Sequence, residues 1–380
     1  MLDAPPWDGP EGTRAFMRSV IQRIATGPEM SKDISRDEAR LAMRAILEGQ
    51  VDPVQAGIFL IALRMKRETD EENIGVLEAL RDAGETVTAS VDVLIDIADP
   101  YDGFIRTLPS SPFLPAVLAA CSVPAVCHGV ERVGPKFGLT HRQVLGAAGQ
   151  PVDLSPAQAA TRIADPAIGW AYLDQRAYCP KLHALIGLRE LIVKRPAITT
   201  AEPCIGPIRG RSETHLVTGY VHKGYPKVYT LLARHAGFDS ALVVRGVEGG
   251  VIPSLQKTGR FVYFRGAGED QSLEIDPAEL GIDASAGAAA RHGHSEAQDA
   301  GGDRAADGAA QAGIAALGGE PGAAREGLVF SAAVCLFHLG RHPSPAAAAS
   351  AVREVLDRGL ARARFEAGAG ATITPRTDPP

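Results

Sequence analysis

The chain has 380 residues, of which 45% are hydrophobic and 22% are charged, a composition that is ordinary for a globular protein and excludes a wholly disordered chain. Its 39 Lys and Arg against 45 Asp and Glu give a net charge of −6, which excludes a polycationic nucleic-acid binder. The five cysteines include no Cys-x-x-Cys pair, so we expect reduced thiols in a cytoplasmic protein. We expect neither a signal peptide nor a membrane span, because the chain shows no basic leader and no long unbroken apolar run.

Residues 1–90 are predicted to form a small helical domain. Ser35-Arg-Asp-Glu38 and Thr69-Asp-Glu-Glu72 are capping boxes, in which the hydroxyl and the glutamate satisfy free N–H groups at a helix start. Apolar residues recur at helical spacing after each box, and a further helix is predicted over about residues 53–66. No alternation typical of strands interrupts this region.

Residues 91–366 are predicted to form a larger α/β domain with a mostly parallel sheet, because strand-like and helix-like patterns alternate. Helices near residues 155–195 are expected to pack on either domain. The predicted strands cover residues 93–98, 123–127, 214–220, 241–245 and 261–265, with helices predicted over 111–121, 180–194 and 227–236.

The composition changes over residues 284–325, where 16 Ala and 9 Gly stand in 42 residues. This predicts a flexible loop over 284–304 and a weak helix over 305–317. A last helix is predicted to open at Ser344-Pro345, and residues 367–380 are expected to be disordered.

Three segments that follow predicted strands carry residue types that suit a phosphate, because ligands of α/β sheets sit beyond the carboxyl ends of the strands. Hydroxyls, imidazoles and free N–H groups in the first two segments can bind an anion, and a glutamate among glycines in the third can hold a hydrated cation. An ordinary strand–turn–helix connection is the alternative interpretation of each. The candidates are Asp102, Gly103, Ser110 and Ser111 in the first, His128, Gly129 and Thr140 in the second, and Glu248 in the third.

Positive charge is concentrated between residues 181 and 227, where eight Lys and Arg face three acids. Such a stretch indicates a phosphate-bearing ligand or a nucleic-acid backbone, and a solvated basic surface is the alternative. The candidate residues are Lys181, Arg189, Lys194, Arg195 and Arg211.

Over about residues 35–366 the chain resembles anthranilate phosphoribosyltransferase and its divergent homologues. The resemblance rests on Ser35-Arg-Asp-Glu-Ala39, Leu60-Ile-Ala-Leu-Arg-Met-Lys-Arg-Glu-Thr69, Asp153-Leu-Ser-Pro156 and Ala241-Leu-Val-Val-Arg-Gly246. It implies a nucleoside phosphorylase/phosphoribosyltransferase-like fold in which a small helical domain joins a larger α/β domain. It also implies dimerisation through the helical part and an active-site cleft at the junction.

The family reaction displaces pyrophosphate from phosphoribosyl pyrophosphate by an amine, with Mg²⁺ neutralising the leaving group. The resemblance places Arg189 against the acceptor. Of the family's glycine-rich phosphate loop, this chain keeps only Asp102 and Gly103, and of its metal-binding acids only the neighbouring Glu248 remains.

Two functions are consistent with these observations. The first is a glycosyl (pentosyl) transferase with an unidentified acceptor, in which the hydroxyl-bearing segments hold phosphate, Glu248 holds Mg²⁺ and Arg189 meets the acceptor. The second is a non-catalytic homodimer that binds single-stranded nucleic acid or another polyanion in a cleft lined by the basic residues.

Overall fold

The computed structural model describes residues 9–27, 29–283 and 302–370. Its first part is helical, as predicted, with α2 packed against α4 and α1 against α3. Both capping boxes form, with Ser35 and Thr69 as the N-caps of α2 and α4. The helices are α1 Gly9–Ile24, α2 Arg36–Leu47, α3 Pro53–Lys66 and α4 Asp70–Asp82.

The second part is built on a seven-stranded sheet in the order β4-β3-β2-β6-β7-β8-β9. Its first five strands are parallel, and β8 pairs antiparallel with both β7 and β9, so the expected mostly parallel sheet is confirmed. The short strands β1 and β5 pair separately. The strands are β1 Val87–Thr88, β2 Val93–Ala98, β3 Ala125–Gly129, β4 Trp170–Asp174, β5 Ile208–Arg209, β6 Glu213–Gly219, β7 Ser240–Val244, β8 Gly259–Arg265 and β9 Gln271–Ile275.

Helices cover both faces of this sheet, which explains why its strands are nearly continuous apolar runs. In β2, Leu94 packs into the core shared with the helical part, whereas Ile95 packs into the core on the opposite face. The helices of the second part are α5 Leu114–Ala120, α6 His141–Ala147, α7 Pro156–Ala164, α8 Gln175–Tyr178, α9 Pro180–His183, α10 Ile186–Ile192, α11 Ile198–Ala201, α12 Tyr225–His235, α13 Gly302–Leu317, α14 Ala323–His338, α15 Pro345–Asp357 and α16 Leu360–Gly370.

The helices within residues 155–195 divide between the two parts. Helix α7 packs on β4, whereas α10 packs against α3. The single helix expected over residues 180–194 is instead broken into α9 and α10, and α10 is followed by Val193 in a left-handed conformation, with φ +60°.

The weak helix expected over residues 305–317 is confirmed as α13, which begins at Gly302. The predicted loop over 284–304 is therefore wrong for residues 302–304, which belong to α13, and residues 284–301 lie outside the described part of the chain. The predicted disordered tail also begins too early, because α16 continues to Gly370 and Arg162 donates to the carbonyl of Gly368 at 2.8 Å. Residues 371–380 are not described. None of the described helices combines the length and apolar character that crossing a membrane needs.

Candidate functional site

A cavity of about 470 Å³ lies between the helical part and the carboxyl ends of β2 and β6. Asp99 and Gly219 line it from the sheet, and Arg64 lines it from α3. The segment after α10 contributes Lys194 and Arg195. The cavity therefore occupies the position where α/β sheets bind ligands.

Its cations differ in how far they are neutralised. Arg195 donates to Asp102 at 2.8 and 3.0 Å, and Arg64 is held by Glu68 at 3.1 Å and by the Thr200 hydroxyl at 2.8 Å. Lys194 is exposed and makes no hydrogen bond or ion pair with any described residue. Lys194 is thus the cation most readily available to an anionic ligand.

Aromatic rings form another wall. The Tyr225 ring lies 6.4 Å, centroid to centroid, from both His222 and Tyr229, and the Arg64 guanidinium lies 5.5 Å from its centre. Burial raises the pKa of Tyr220, which lines the cavity at the end of β6, so its phenol is neutral near pH 7. A planar group can stack on this wall while its anionic part meets Lys194.

Asp99 stands at the sheet end of the cavity and is 3% exposed. The Ser111 hydroxyl and His141 Nε2 donate to its Oδ2, the latter at 2.8 Å, and the N–H of Val251 donates to its Oδ1 at 2.7 Å. Both carboxylate oxygens are therefore engaged by groups of the protein.

A buried polar chain runs beneath the cavity. Asp96 Oδ1 accepts from His128 Nε2 at 2.7 Å, His128 Nδ1 contacts the hydroxyl of Tyr101, and that hydroxyl lies 2.7 Å from the hydroxyl of Tyr178. Burial raises the pKa of both tyrosines, so both phenols stay protonated. Because Tyr101 lines the cavity, this chain fixes the loop after β2 from below.

Glu248 is held by the loop after β2 rather than left free for a metal. Its carboxylate accepts from the N–H groups of Ile105 at 3.0 Å and Arg106 at 2.8 Å and from the Thr107 hydroxyl at 3.1 Å. Asp99 and Asp102, the other carboxylates that line the cavity, are also engaged. Among the described residues no group of three or more His, Cys, Asp or Glu could hold a metal ion. These residues therefore do not fit a protein-held Mg²⁺.

The structure brings together only some of the sequence candidates. Asp102, Lys194, Arg195 and Glu248 line the cavity. Gly103 packs behind it so closely, with φ +75°, that a Cβ there would lie 2.5 Å from the carbonyl group of Gly138.

The remaining phosphate candidates are not among the residues that line the cavity. Ser111 is bound to Asp99, and His128 is 1% exposed within the buried chain. Thr140 caps α6 and donates to the carbonyl of Glu131 at 3.0 Å. Ser110 is buried against Gly327, where a Cβ would lie 3.2 Å from its Oγ, and Gly129 is buried at the end of β3.

The basic candidates beyond Lys194 are ion-paired. Arg189 is 1% exposed and makes two 2.8 Å hydrogen bonds to Glu202, which corrects the expectation that it faces the acceptor. Lys181 pairs with Glu48 at 2.6 Å and Arg211 with Asp92 at 2.8 Å, both away from the cavity. The local excess of positive charge is therefore largely neutralised by neighbouring acids.

The sequence interpretation missed the aromatic wall and several polar residues of the cavity, among them Arg64 and Thr199. Arg64 lies inside the Leu60–Thr69 stretch on which the resemblance rests, and Tyr220 ends a predicted strand, so both carried a signal. Thr199 carried none, although its hydroxyl is buried without a hydrogen-bond partner among the described residues and the residue lines the cavity.

Comparison with known proteins places the chain in one family. Residues 18–84 match the helical bundle domain of a glycosyl transferase family, and residues 106–362 match the α/β domain of that family. Anthranilate phosphoribosyltransferase of Bradyrhizobium diazoefficiens is 27% identical to this chain, over 92% of this chain and 97% of its own length.

Solved structures show the same fold. The chain resembles anthranilate phosphoribosyltransferase of Thermus thermophilus with a TM-score of 0.74 at 21% identity, over 93% of this chain and 98% of that one. It resembles the Saccharomyces cerevisiae enzyme, in complex with PRPP and Mg, with a TM-score of 0.73 at 14% identity, over 93% and 96% of the two chains.

Proposed function

Since the chain belongs to the anthranilate phosphoribosyltransferase-like glycosyl transferase family, we propose that it binds a phosphoribosyl or other phosphate-bearing ligand in the cavity between its helical part and its sheet. The observation that carries this proposal is Lys194, which has no partner among the described residues and stands beside Arg195 in a cavity with an aromatic wall. The yeast relative of the same fold binds PRPP, which supports the same ligand class.

The proposed reaction transfers a pentosyl group. A nucleophilic atom of the acceptor forms a bond to the anomeric carbon while the bond from that carbon to the leaving phosphate oxygen breaks. The phosphate leaves with the electron pair, and the acceptor loses a proton. Lys194 and Arg195 stabilise the negative charge that develops on the leaving group, and the tyrosine wall orients a planar acceptor.

Mg²⁺ enters this proposal only as a counter-ion carried by the phosphates of the ligand. The cavity carboxylates are held by N–H, hydroxyl and cationic groups of the protein, as described above. No step of the reaction is therefore assigned to a metal bound by the protein.

Titration calorimetry with PRPP and Mg²⁺ tests the proposal. Replacing Lys194 with alanine is expected to weaken PRPP binding about 10- to 100-fold, because a hydrogen bond to a charged group contributes about 1.5–3 kcal/mol. Lys181→Ala is the matched control, since it removes the same charge from a surface outside the cavity. No binding to the unmodified protein, or equal binding by Lys194→Ala, would contradict the proposal.

Polyanion binding has weaker support. A nucleic-acid surface needs several cations free to meet phosphates, whereas Arg189, Arg195, Lys181 and Arg211 are each paired with an acid. Salt-dependent retention on single-stranded DNA would support that alternative instead.

We further propose that the protein is a homodimer joined through its helical part. Val54, Ile58 and Met65 lie along one face of α3 and are 69%, 38% and 75% exposed, and Leu191 on the adjacent α10 is 80% exposed. Together they form what we term the α3–α10 apolar face. A contiguous exposed apolar face of this kind typically marks a protein interface.

Ile58→Asp is expected to convert the dimer into a monomer, because a carboxylate in the centre of the α3–α10 apolar face would lose its water on association. Analytical ultracentrifugation would show the sedimenting mass fall by half. Leu360→Asp is the control, since Leu360 is 37% exposed, close to the 38% of Ile58, but lies on α16 outside the α3–α10 apolar face. A monomeric unmodified protein, or a dimer that survives Ile58→Asp, would contradict this arrangement.

The proposed location is the cytoplasm. All five cysteines are unpaired, and burial raises the pKa of Cys121 to about 12 and that of Cys179 to about 11. Such thiols remain protonated and unreactive, which suits structural cysteines in a reducing compartment.

A further inference from the structure

Three hydrogen-bond donors from separate parts of the chain converge on one point at the sheet end of the cavity. They are the Ser111 hydroxyl, the Nε2 of His141 and the N–H of Val251. All three residues are buried, and Ser111 and Val251 have no exposed surface. Gly250 lets the backbone approach, because a Cβ there would lie only 3.1 Å from Asp99 Oδ1.

Converging N–H and O–H donors in a place without water are the arrangement that proteins use to bind carboxylates and phosphates. At this point the anion is the side chain of Asp99. Its two oxygens accept all three hydrogen bonds, and it lines the cavity while Ser111 and His141 lie behind it.

We propose that Ser111, His141 and the Val251 N–H form an anion-binding site that the protein occupies with its own Asp99 carboxylate. The site is complete without a ligand, and a second anion beside Asp99 would be repelled, because like charges at close range in a partly desolvated cavity interact unfavourably. Asp99 therefore determines what the sheet end of the cavity accepts.

This inference refines the proposed function, on which it rests for the presence of a ligand in the cavity. Lys194 and Arg195 bring positive charge into the cavity from the segment after α10, whereas Asp99 brings negative charge at the sheet end. The ligand class is thus a phosphate-bearing molecule whose anionic groups lie at Lys194 and Arg195, with a neutral, hydroxyl-bearing part that can donate hydrogen bonds to Asp99. A ligand that must place a phosphate against Asp99 at the sheet end does not fit.

Asp99→Ala tests the inference without reference to any natural ligand. Removing the carboxylate leaves the three donors facing an opened space, so inorganic phosphate and pyrophosphate are expected to bind at least tenfold more tightly than to the unmodified protein. Binding would be measured by calorimetry and by the rise in melting temperature, at an ionic strength matched with sodium chloride.

Two variants locate the gained binding. Asp99→Asn removes the charge but still fills the space, so it is expected to gain little. Asp99→Ala combined with Ser111→Ala is expected to lose most of the gained affinity, because one of the three donors is missing. Equal phosphate binding by Asp99→Ala and the unmodified protein would overturn the inference, as would a gain that does not depend on Ser111.

Should Asp99→Ala not fold in chloride buffer, Asp99→Ser provides the same comparison with a smaller loss of polarity. Phosphate is then expected to raise the melting temperature of Asp99→Ser and not that of Asp99→Asn, and no difference between them overturns the inference. Failure of the unmodified protein to bind PRPP would instead contradict the proposed function and leave the Asp99 comparison intact.

Discussion

Replacing Arg189 with alanine is expected to lower the free energy of unfolding by about 3–5 kcal/mol, because it leaves the Glu202 carboxylate buried without its cation. Both side chains are 1% exposed, and two parallel hydrogen bonds of 2.8 Å join them. Gln175, which donates to Glu202 at 3.3 Å, is neutral and does not replace the lost charge. Urea denaturation of the variant and the unmodified protein measures the difference.

Two controls separate this effect from a general sensitivity to lost charge. Lys181→Ala breaks an exposed ion pair with Glu48 and is expected to cost only about 0–1 kcal/mol. Arg189→Met combined with Glu202→Leu removes both charges together and should recover most of the loss. An Arg189→Ala protein of normal stability that fails to bind an acceptor would contradict this account and restore the acceptor role implied by the resemblance.

Acidification from pH 7 to pH 5 is expected to cost about 2 kcal/mol of stability through His338 alone, given a pKa near 6.5 for an unfolded histidine. In the folded protein, burial, followed by the charge of Arg265 and by His215, lowers the pKa of His338 to about 3. The unfolded chain therefore takes up a proton before the folded chain does. The stabilisation is complete above pH 6.5 and is lost progressively as the pH falls towards 3.

His338→Gln isolates that contribution. His338 lies in a buried chain in which its Nε2 is 2.7 Å from Ser240 Oγ, and this hydroxyl is 2.8 Å from His215 Nδ1. Glutamine can keep a hydrogen bond to Ser240 but cannot take up a proton in this pH range. At pH 7 the free energy of unfolding of His338→Gln should be lower than that of the unmodified protein. Between pH 7 and 5 it should fall by about 2 kcal/mol less than that of the unmodified protein. Equal pH dependence in both proteins would show that His338 is not the group responsible.

Much of the fold could be predicted from the sequence because its signals are local. Ser35 and Thr69 begin their helices through contacts three residues away, and β2 is a continuous apolar run because both of its faces are covered. Strand β4 was missed, although all of its residues are buried, because its Trp-Ala-Tyr-Leu-Asp sequence lacks the β-branched residues that typify strands. Strand β9 was missed because it is short, polar and at the sheet edge.

The candidate site was less predictable, because its chemistry depends on which partner each charge finds. Arg189 and Lys194 look alike in the sequence as members of one basic stretch. Arg189 forms an ion pair with Glu202, whereas Lys194 lines the cavity and has no partner among the described residues. Likewise Ser111 is of a residue type that suits phosphate, but its hydroxyl donates to Asp99. Glu248 is of a type that suits a metal ion, but its carboxylate accepts hydrogen bonds from the loop after β2. These pairings span 13, 12 and 142 residues, all beyond the three or four residues over which helix and capping patterns are detected.

The ion pair between Arg195 and Asp102 has a consequence for how an anion would enter. Asp102 is also 3.2 Å from Lys136, so it keeps one cation if Arg195 turns away. A phosphate that binds beside Lys194 would compete with Asp102 for Arg195. The affinity gained from Arg195 would therefore be the free energy of the Arg195–phosphate pair minus that of the Arg195–Asp102 pair. On the proposed function, entry of an anion would thus exchange partners: Arg195 would leave Asp102 as the segment after α10 engages the ligand.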